Sequence, residues 1–182
     1  LHIGEYVRSR KPVYTESERI VTKLAERTDE RAFFILEEHG LGIVLHKSTG
    51  KNAVDVPPRV GQYVYLHNTS VGKAILADLP RSRVEEIVEE WGLPEETEQT
   101  ITERERLLRE LDDIEERGCA MTIGERISDL KSIACSVSDR EGRVVGGLSV
   151  SGPQQRIDDE WESEELKSLI AGAAKELEMN IS

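Results

Sequence analysis

Apolar positions along this chain alternate between helical spacing and short continuous runs, and the switches between the two mark the elements. Thr15-Glu16-Ser17-Glu18 has the Thr-x-x-Glu spacing of a capping box, and Ile20, Val21 and Leu24 follow at helical spacing until Thr28-Asp29. Ala32 to Leu36 and Leu41 to Leu45 are two apolar runs around His39-Gly40, which reads as a β-hairpin. Asn52 to Val56 is expected to extend the sheet until Pro57-Pro58 stops it, with a further strand at Tyr63 to Leu66 after the Val60-Gly61 turn. From Thr69 or Ser70 to Leu79 the pattern is helical, and Pro80 ends it. A second short helix carries Val84, Ile87 and Val88 and stops at Gly92 and Pro94.

In the second half, Thr102-Glu103-Arg104-Glu105 is read as another capping box. It opens a charged helix with Leu107, Leu108, Leu111 and Ile114 on one side and Gly118 at its end. Cys119 to Ile123 is a strand candidate. Ile133 to Val137 and Val144 to Val150 form a hairpin around Asp139-Arg140-Glu141-Gly142. A last helix carries Leu166, Leu169, Ile170, Ala173 and Leu177. Strands bunched in two groups with helices between them predict an α+β fold, an antiparallel sheet covered by helices.

Composition sharpens this picture in three ways. At 182 residues and 37% apolar content the chain suits one domain, and with 4% aromatics its core must be mainly aliphatic. A formal net charge of −12 opposes binding to a phosphate backbone, so the chain by itself is not expected to bind nucleic acid. The acidic excess, with more Arg than Lys, also fits a protein working in concentrated salt, where mutual repulsion is screened. Two cysteines, Cys119 and Cys135, are too few for a disulfide framework. No apolar run approaches a membrane span and no signal peptide is present, so a cytoplasmic protein with no membrane partner is expected. The opening Leu1-His2-Ile3-Gly4-Glu5 lacks Met and is expected to belong to a longer protein.

Three groups of residues are candidates for chemistry. His67-Asn68-Thr69-Ser70-Val71-Gly72-Lys73 opens directly onto a helix, where free N–H groups around Ser70 and Val71 favour a carboxylate. An ordinary N-cap fits the same residues. Gly124-Glu125-Arg126-Ile127-Ser128 lies between strand candidates, so Glu125 is either a hydrogen-bond acceptor for a ligand or part of a solvated acidic loop. Ser149 and Ser151 share a strand face, and Cys135 on the neighbouring strand is placed on the same side. Together they line a small polar pocket or a partly buried sheet face. The four His residues show no metal-ligand spacing, and no metal or cofactor is expected. A Cys135–His67 nucleophile pair stays open, although nothing demands catalysis.

Taken together, three segments resemble the effector-binding domain of the IclR family of transcription regulators. They are Leu66 to Ala77; Arg117-Gly118-Cys119-Ala120 with Gly124-Glu125 and Ile133 to Val137; and Gly142 to Pro153, which ends in Leu148-Ser149-Val150-Ser151-Gly152-Pro153. The resemblance covers essentially the whole chain. It implies a GAF-like (profilin-like) curved antiparallel sheet flanked by helices, with residues 1–14 as the end of a linker helix and 15–182 as the effector-binding domain. It implies a non-enzymatic sensor for a small effector, assembled as a homodimer or homotetramer, with DNA bound only through a separate N-terminal winged helix. Carried across by position, the pocket takes Ser70, Val71, Glu125, Cys135, Ser149 and Ser151, with apolar walls from Ala53, Val56, Val60 and Val64. Relatives that bind 2-oxo acids have smaller residues where Ser70 and Val71 stand, which predicts a pocket of different size and polarity. Glu125 is expected to repel a carboxylate unless it is protonated or bonds a ligand hydroxyl. Rival readings are a GAF-fold enzyme using Cys135 and a ligand-free pairing domain.

Overall fold

The computed structural model describes residues 11–161 and 163–181. Helix α1 (Lys11–Thr28) leads into the hairpin β1 (Arg31–Glu38) and β2 (Leu41–Thr49), followed by the short β3 (Tyr63–Tyr65). Three helices follow, α2 (Ser70–Asp78), α3 (Arg81–Trp91) and α4 (Arg104–Arg117). The strands β4 (Ala120–Ile123), β5 (Leu130–Ser138) and β6 (Val144–Pro153) complete the sheet, and α5 (Gln154–Glu160) and α6 (Ser163–Ile181) end the described chain.

The six strands lie in the order β3-β2-β1-β6-β5-β4, and every neighbouring pair is antiparallel. The two strand groups therefore meet at the β1–β6 pair, with Arg31 opposite Ser151 and Ile35 opposite Gly147. The β1–β2 turn is tight because His39 and Gly40 both adopt positive φ, 53° and 85°, and Glu38 pairs directly with Leu41. Two successive left-handed residues are what a type I′ hairpin needs to match strand twist. A register shift between Phe34 and Ile35 gives β2 one extra residue, which bends the sheet.

Successive side chains alternate faces, so each central strand feeds two cores. Ala32, Phe34, Leu36, Ile133, Cys135, Val137, Leu148 and Val150 pack against Ile20, Val21 and Leu24 of α1 and Leu166, Ile170 and Leu177 of α6. The alternate residues Phe33, Ile35, Val44, Val64 and Ala134 pack under α2, α3 and α4, with Val71, Ile75, Val84, Leu107 and Leu111. This two-sided burial explains the continuous apolar run of β1.

Several expected local features differ. Thr15 lies inside α1, so it does not open the helix as the N-cap of a capping box. The expected linker tail, Leu1 to Arg10, lies outside the described residues. Glu103, not Thr102, is the N-cap of α4, and no side chain caps it. Residues 52–56 form no strand; Asn52 instead turns back to Asp29, whose carboxylate accepts its backbone N–H at 3.0 Å. Helix α5 was not expected, because Ile157 is the one apolar residue in its seven. Cys119 and Cys135 are joined as a disulfide on the α1–α6 side of the sheet.

Candidate effector cavity

A cavity of about 70 Å³ lies between the sheet, the start of α2, the loop at residues 125–127 and Pro57-Pro58. Its floor follows from strand parity. Arg31, Phe33 and Ile35 of β1, Ser149 and Ser151 of β6, Leu130 and Ser132 of β5, and Thr122 of β4 all present to it. The pairing register lines four of these up across the sheet: Arg31 opposite Ser151, Ser151 opposite Ser132, and Ser132 opposite Thr122. The next row, Phe33, Ser149, Ala134 and Ala120, is mostly apolar. The cavity thus sits where the apolar layer under α2 gives way to one polar row.

Close approach of backbone fixes the helix over this floor. A Cβ on Gly72 would lie 2.2 Å from the Leu66 carbonyl oxygen, and one on Gly147 would lie 2.6 Å from a Val71 methyl. Glycine at both positions lets the first turn of α2 rest on β6 and against the preceding chain. Thr69 is the N-cap, and its hydroxyl accepts the Gly72 N–H at 3.1 Å. The Ser70 and Ser132 hydroxyls bond to one another at 2.6 Å, tying the start of α2 to the polar row. Asn68, also at the cavity, donates to Glu96 at 2.5 Å, while its Oδ1 is buried with no protein donor. His67, beside it, bonds through Nε2 to the Pro94 carbonyl at 2.9 Å, and burial holds its pKa below the usual imidazole range.

Glu125 reaches the cavity as part of a buried charge cluster. Both of its carboxylate oxygens accept from the Lys73 ammonium, at 2.6 and 2.7 Å, and Lys73 also pairs with Glu110 at 2.8 Å. Lys73 is fully buried, 0% exposed. Burial pushes the Glu125 carboxyl above the ordinary carboxylate range, while the Lys73 ammonium pulls the other way. The loop is held by Thr100 and Thr97, whose hydroxyls donate to the Glu125 and Gly124 carbonyls at 2.6 and 2.5 Å.

Ser70, Val71, Glu125, Ser149, Ser151 and Val64 of the expected set all line this cavity. Four do not. Cys135 has the opposite strand parity: it faces the α1–α6 core opposite Leu148 and is bonded to Cys119, so it has no free thiol to offer. Ser132, three residues earlier, takes the place expected for it. Ala53, Val56 and Val60 lie on the irregular segment before β3 and not on a wall. Val60 is 61% exposed, and Val56 contributes only its carbonyl, which accepts from Arg31 at 3.1 Å and Lys47 at 2.8 Å. Arg31, Phe33, Ser132, Thr122 and Arg126 were missed. Their signal was present for β1, since Arg31, Phe33 and Ile35 alternate along it.

Among the described residues no group of His, Cys, Asp or Glu is placed to hold a metal, and no helix is long and apolar enough to cross a membrane. A curved antiparallel sheet flanked by helices, with a small cavity under a helix N-terminus, defines the GAF-like class of ligand-sensing domains. Within that class the chain belongs to the family described as bacterial transcriptional regulator IclR C-terminal, whose sequence profile matches residues 5–179. It is 28% identical over 182 residues to a probable HTH-type transcriptional regulator, ArcR, of Halobacterium salinarum, covering 98% of this chain and 69% of that protein. It is 35% identical over 133 residues to the HTH-type transcriptional regulator KdgR of Escherichia coli, covering 73% of this chain and only 51% of KdgR. The crystal structure of the C-terminal domain of that KdgR superposes with a TM-score of 0.83 at 28% identity, covering 93% of this chain and 98% of the domain. An IclR homolog from Microbacterium hydrocarbonoxydans, solved as a complex with 4-hydroxybenzoate, shares the fold with a TM-score of 0.81 at 23% identity over 96% of this chain and 68% of that one. The relatives are transcription regulators and not enzymes, and the chain is an effector-binding domain of the IclR type.

Proposed function

We propose that the cavity binds a small carboxylate-bearing metabolite and that its occupancy sets how a separate DNA-reading portion of the same protein engages its operator. The observation that carries this reading is the first turn of α2, where Ser70 and Val71 border the cavity and face the polar row. Unsatisfied N–H groups and the helix field there favour an anion. The objection raised by Glu125 is lessened by Lys73, whose ammonium is shared between that carboxylate and Glu110. Phe33, Ile35 and Pro58 restrict the space, so the effector is a short-chain acid, smaller than the 4-hydroxybenzoate found in the Microbacterium relative.

The net charge of −12 leaves contact with DNA to another portion of the protein. The protein acts in the cytoplasm as a homodimer or homotetramer, in concentrated salt. The effector shifts the arrangement of the paired DNA readers only by its difference in affinity for the two arrangements.

Thermal unfolding of this chain in molar KCl against a panel of short acids tests the reading. A ligand at ~100 times its Kd stabilises the folded state by roughly 2.7 kcal/mol. A shift from one class of acid, lost in Ser132→Ala and Ser149→Ala, is the expected result. No shift from any acid overturns the reading and leaves a ligand-free pairing domain.

A further inference from the structure

The charges around the cavity are paired with one exception. Glu30 is held by Arg156, whose Nη2 donates to it at 2.7 Å, Asp55 by Lys47, Glu125 by Lys73, and Arg126 by Glu96 at 3.8 Å. Arg31 has no ion pair among the described residues, although it is 3% exposed and lies on the cavity floor. Its guanidinium spends hydrogen bonds on two neutral acceptors, the Val56 carbonyl at 3.1 Å and the Ser151 hydroxyl at 3.4 Å. Two of five N–H donors are thereby engaged. A buried charge without a partner is strongly disfavoured, and this chain carries 36 Asp and Glu residues from which a partner might have been drawn. Glu30 and Asp55 act on Arg31 only through space, and among the described residues no carboxylate contacts its guanidinium on the cavity side.

We propose that Arg31 is a second anion subsite, so that the effector is a compact dianion with one carboxylate at the start of α2 and a second acidic group at Arg31. This rests on the carboxylate reading above. The row Arg31, Ser151, Ser132 spans two strand spacings, and Ser132 bonds Ser70 at its far end. Arg31 leans one spacing inward to Ser151, so the gap left between the two subsites is about 5 Å. That separation suits two acidic groups on a short carbon chain, and the planar fork of the guanidinium suits a carboxylate or phosphate equally. Ser151 lies on the row between the subsites and Ser149 borders it from the next row, where their hydroxyls can meet the linking atoms.

The test uses matched acids that differ in one anionic group: propionate with succinate, lactate with malate, and glycolate with 2-phosphoglycolate. Kd values are measured calorimetrically on this chain at constant ionic strength in molar KCl. At least one dianion should bind tenfold or more tightly than its partner, and the phosphate arm distinguishes a phosphorylated acid from a dicarboxylic one. Arg31→Gln should remove that advantage while leaving the monoanion within twofold. Arg31→Lys, which keeps the charge and loses the fork, should retain a reduced advantage and reports on the subsite even if the Gln variant does not fold. Equal affinity within every pair, or equal weakening of both members by Arg31→Gln, overturns the second subsite and leaves the carboxylate site standing. Absence of binding by all six acids overturns both.

Discussion

The two faces of the sheet are made by the same strands and do opposite things. On the α1–α6 face Ala32, Phe34, Leu36, Ile133, Val137, Leu148 and Val150 form a closed apolar layer, and its two cysteines are spent on each other. On the α2 face the alternate residues begin the same way, with Phe33, Ile35 and Ala134, and then give way to Arg31, Ser151, Ser132 and Thr122. A shift of one residue along a strand separates a side chain that stabilises from one that borders the cavity. The same contrast holds between two of the buried cations: Lys73 contacts Glu110 and Glu125, whereas Arg31 has no ion pair among the described residues and feels Glu30 and Asp55 only from a distance.

Substitutions on either side should separate stability from ligand response. Phe34→Ala, on the closed face, should have the largest effect, lowering unfolding free energy by about 4 kcal/mol in urea titrations, since a buried aromatic is removed and its cavity relaxes only partly. Any folded fraction should keep its affinity for acids. Lys73→Met should follow, with a loss of about 3 kcal/mol from leaving Glu125 buried and unpaired. Adding Glu125→Met should restore part of that loss; no recovery would mean that the cluster is held by packing and not by charge.

What the sequence disclosed follows the same parity. The hairpins, the helix over residues 70–78 and the sheet class were legible because apolar runs and turn residues agree there, as at His39-Gly40. Residues 52–56 misled because Ala53, Val54 and Val56 imitate a strand, while Asn52 is drawn back to Asp29 and the segment enters no pairing. Among the site residues, Ser149 and Ser151 were placed by alternation within one strand. Cys135 was misplaced because matching faces across two strands requires the register, which puts Ser132 and not Cys135 opposite a cavity residue. For Arg31 alternation along β1 offered the face, but the sequence shows neither its burial nor the partners taken by its acidic neighbours.

Smaller effects sharpen the polar side. Ser132→Ala should lower stability by roughly 1 kcal/mol, the net worth of its hydrogen bond to Ser70, and both Ser132→Ala and Ser149→Ala should abolish most of the acid-induced melting shift. A stability loss with the melting shift intact would remove the polar row from the site. The histidine part of the pH response should be modest and of one sign. Burial holds His46 and His67 below their ordinary value of 6.5, so on acidification the unfolded chain takes up protons before the folded state does. Their contribution is complete above 6.5 and is lost as the pH falls toward their lowered folded values. Urea midpoints at neutral and mildly acidic pH should therefore differ less in a His46→Gln, His67→Gln double variant than in the parent. An unchanged difference would show that neither imidazole is held neutral by burial.

The most direct test of the cavity as the binding site is a titration of the isotope-labelled chain with malate, followed by amide and arginine side-chain NMR signals. The account predicts saturable shifts at the Ser70 and Val71 amides, the loop at residues 125–127 and the Arg31 Nε–H, with Leu166 to Leu177 unmoved. Shifts centred on the α1–α6 face, or saturation that leaves Ser70, Val71 and Arg31 unchanged, would contradict it.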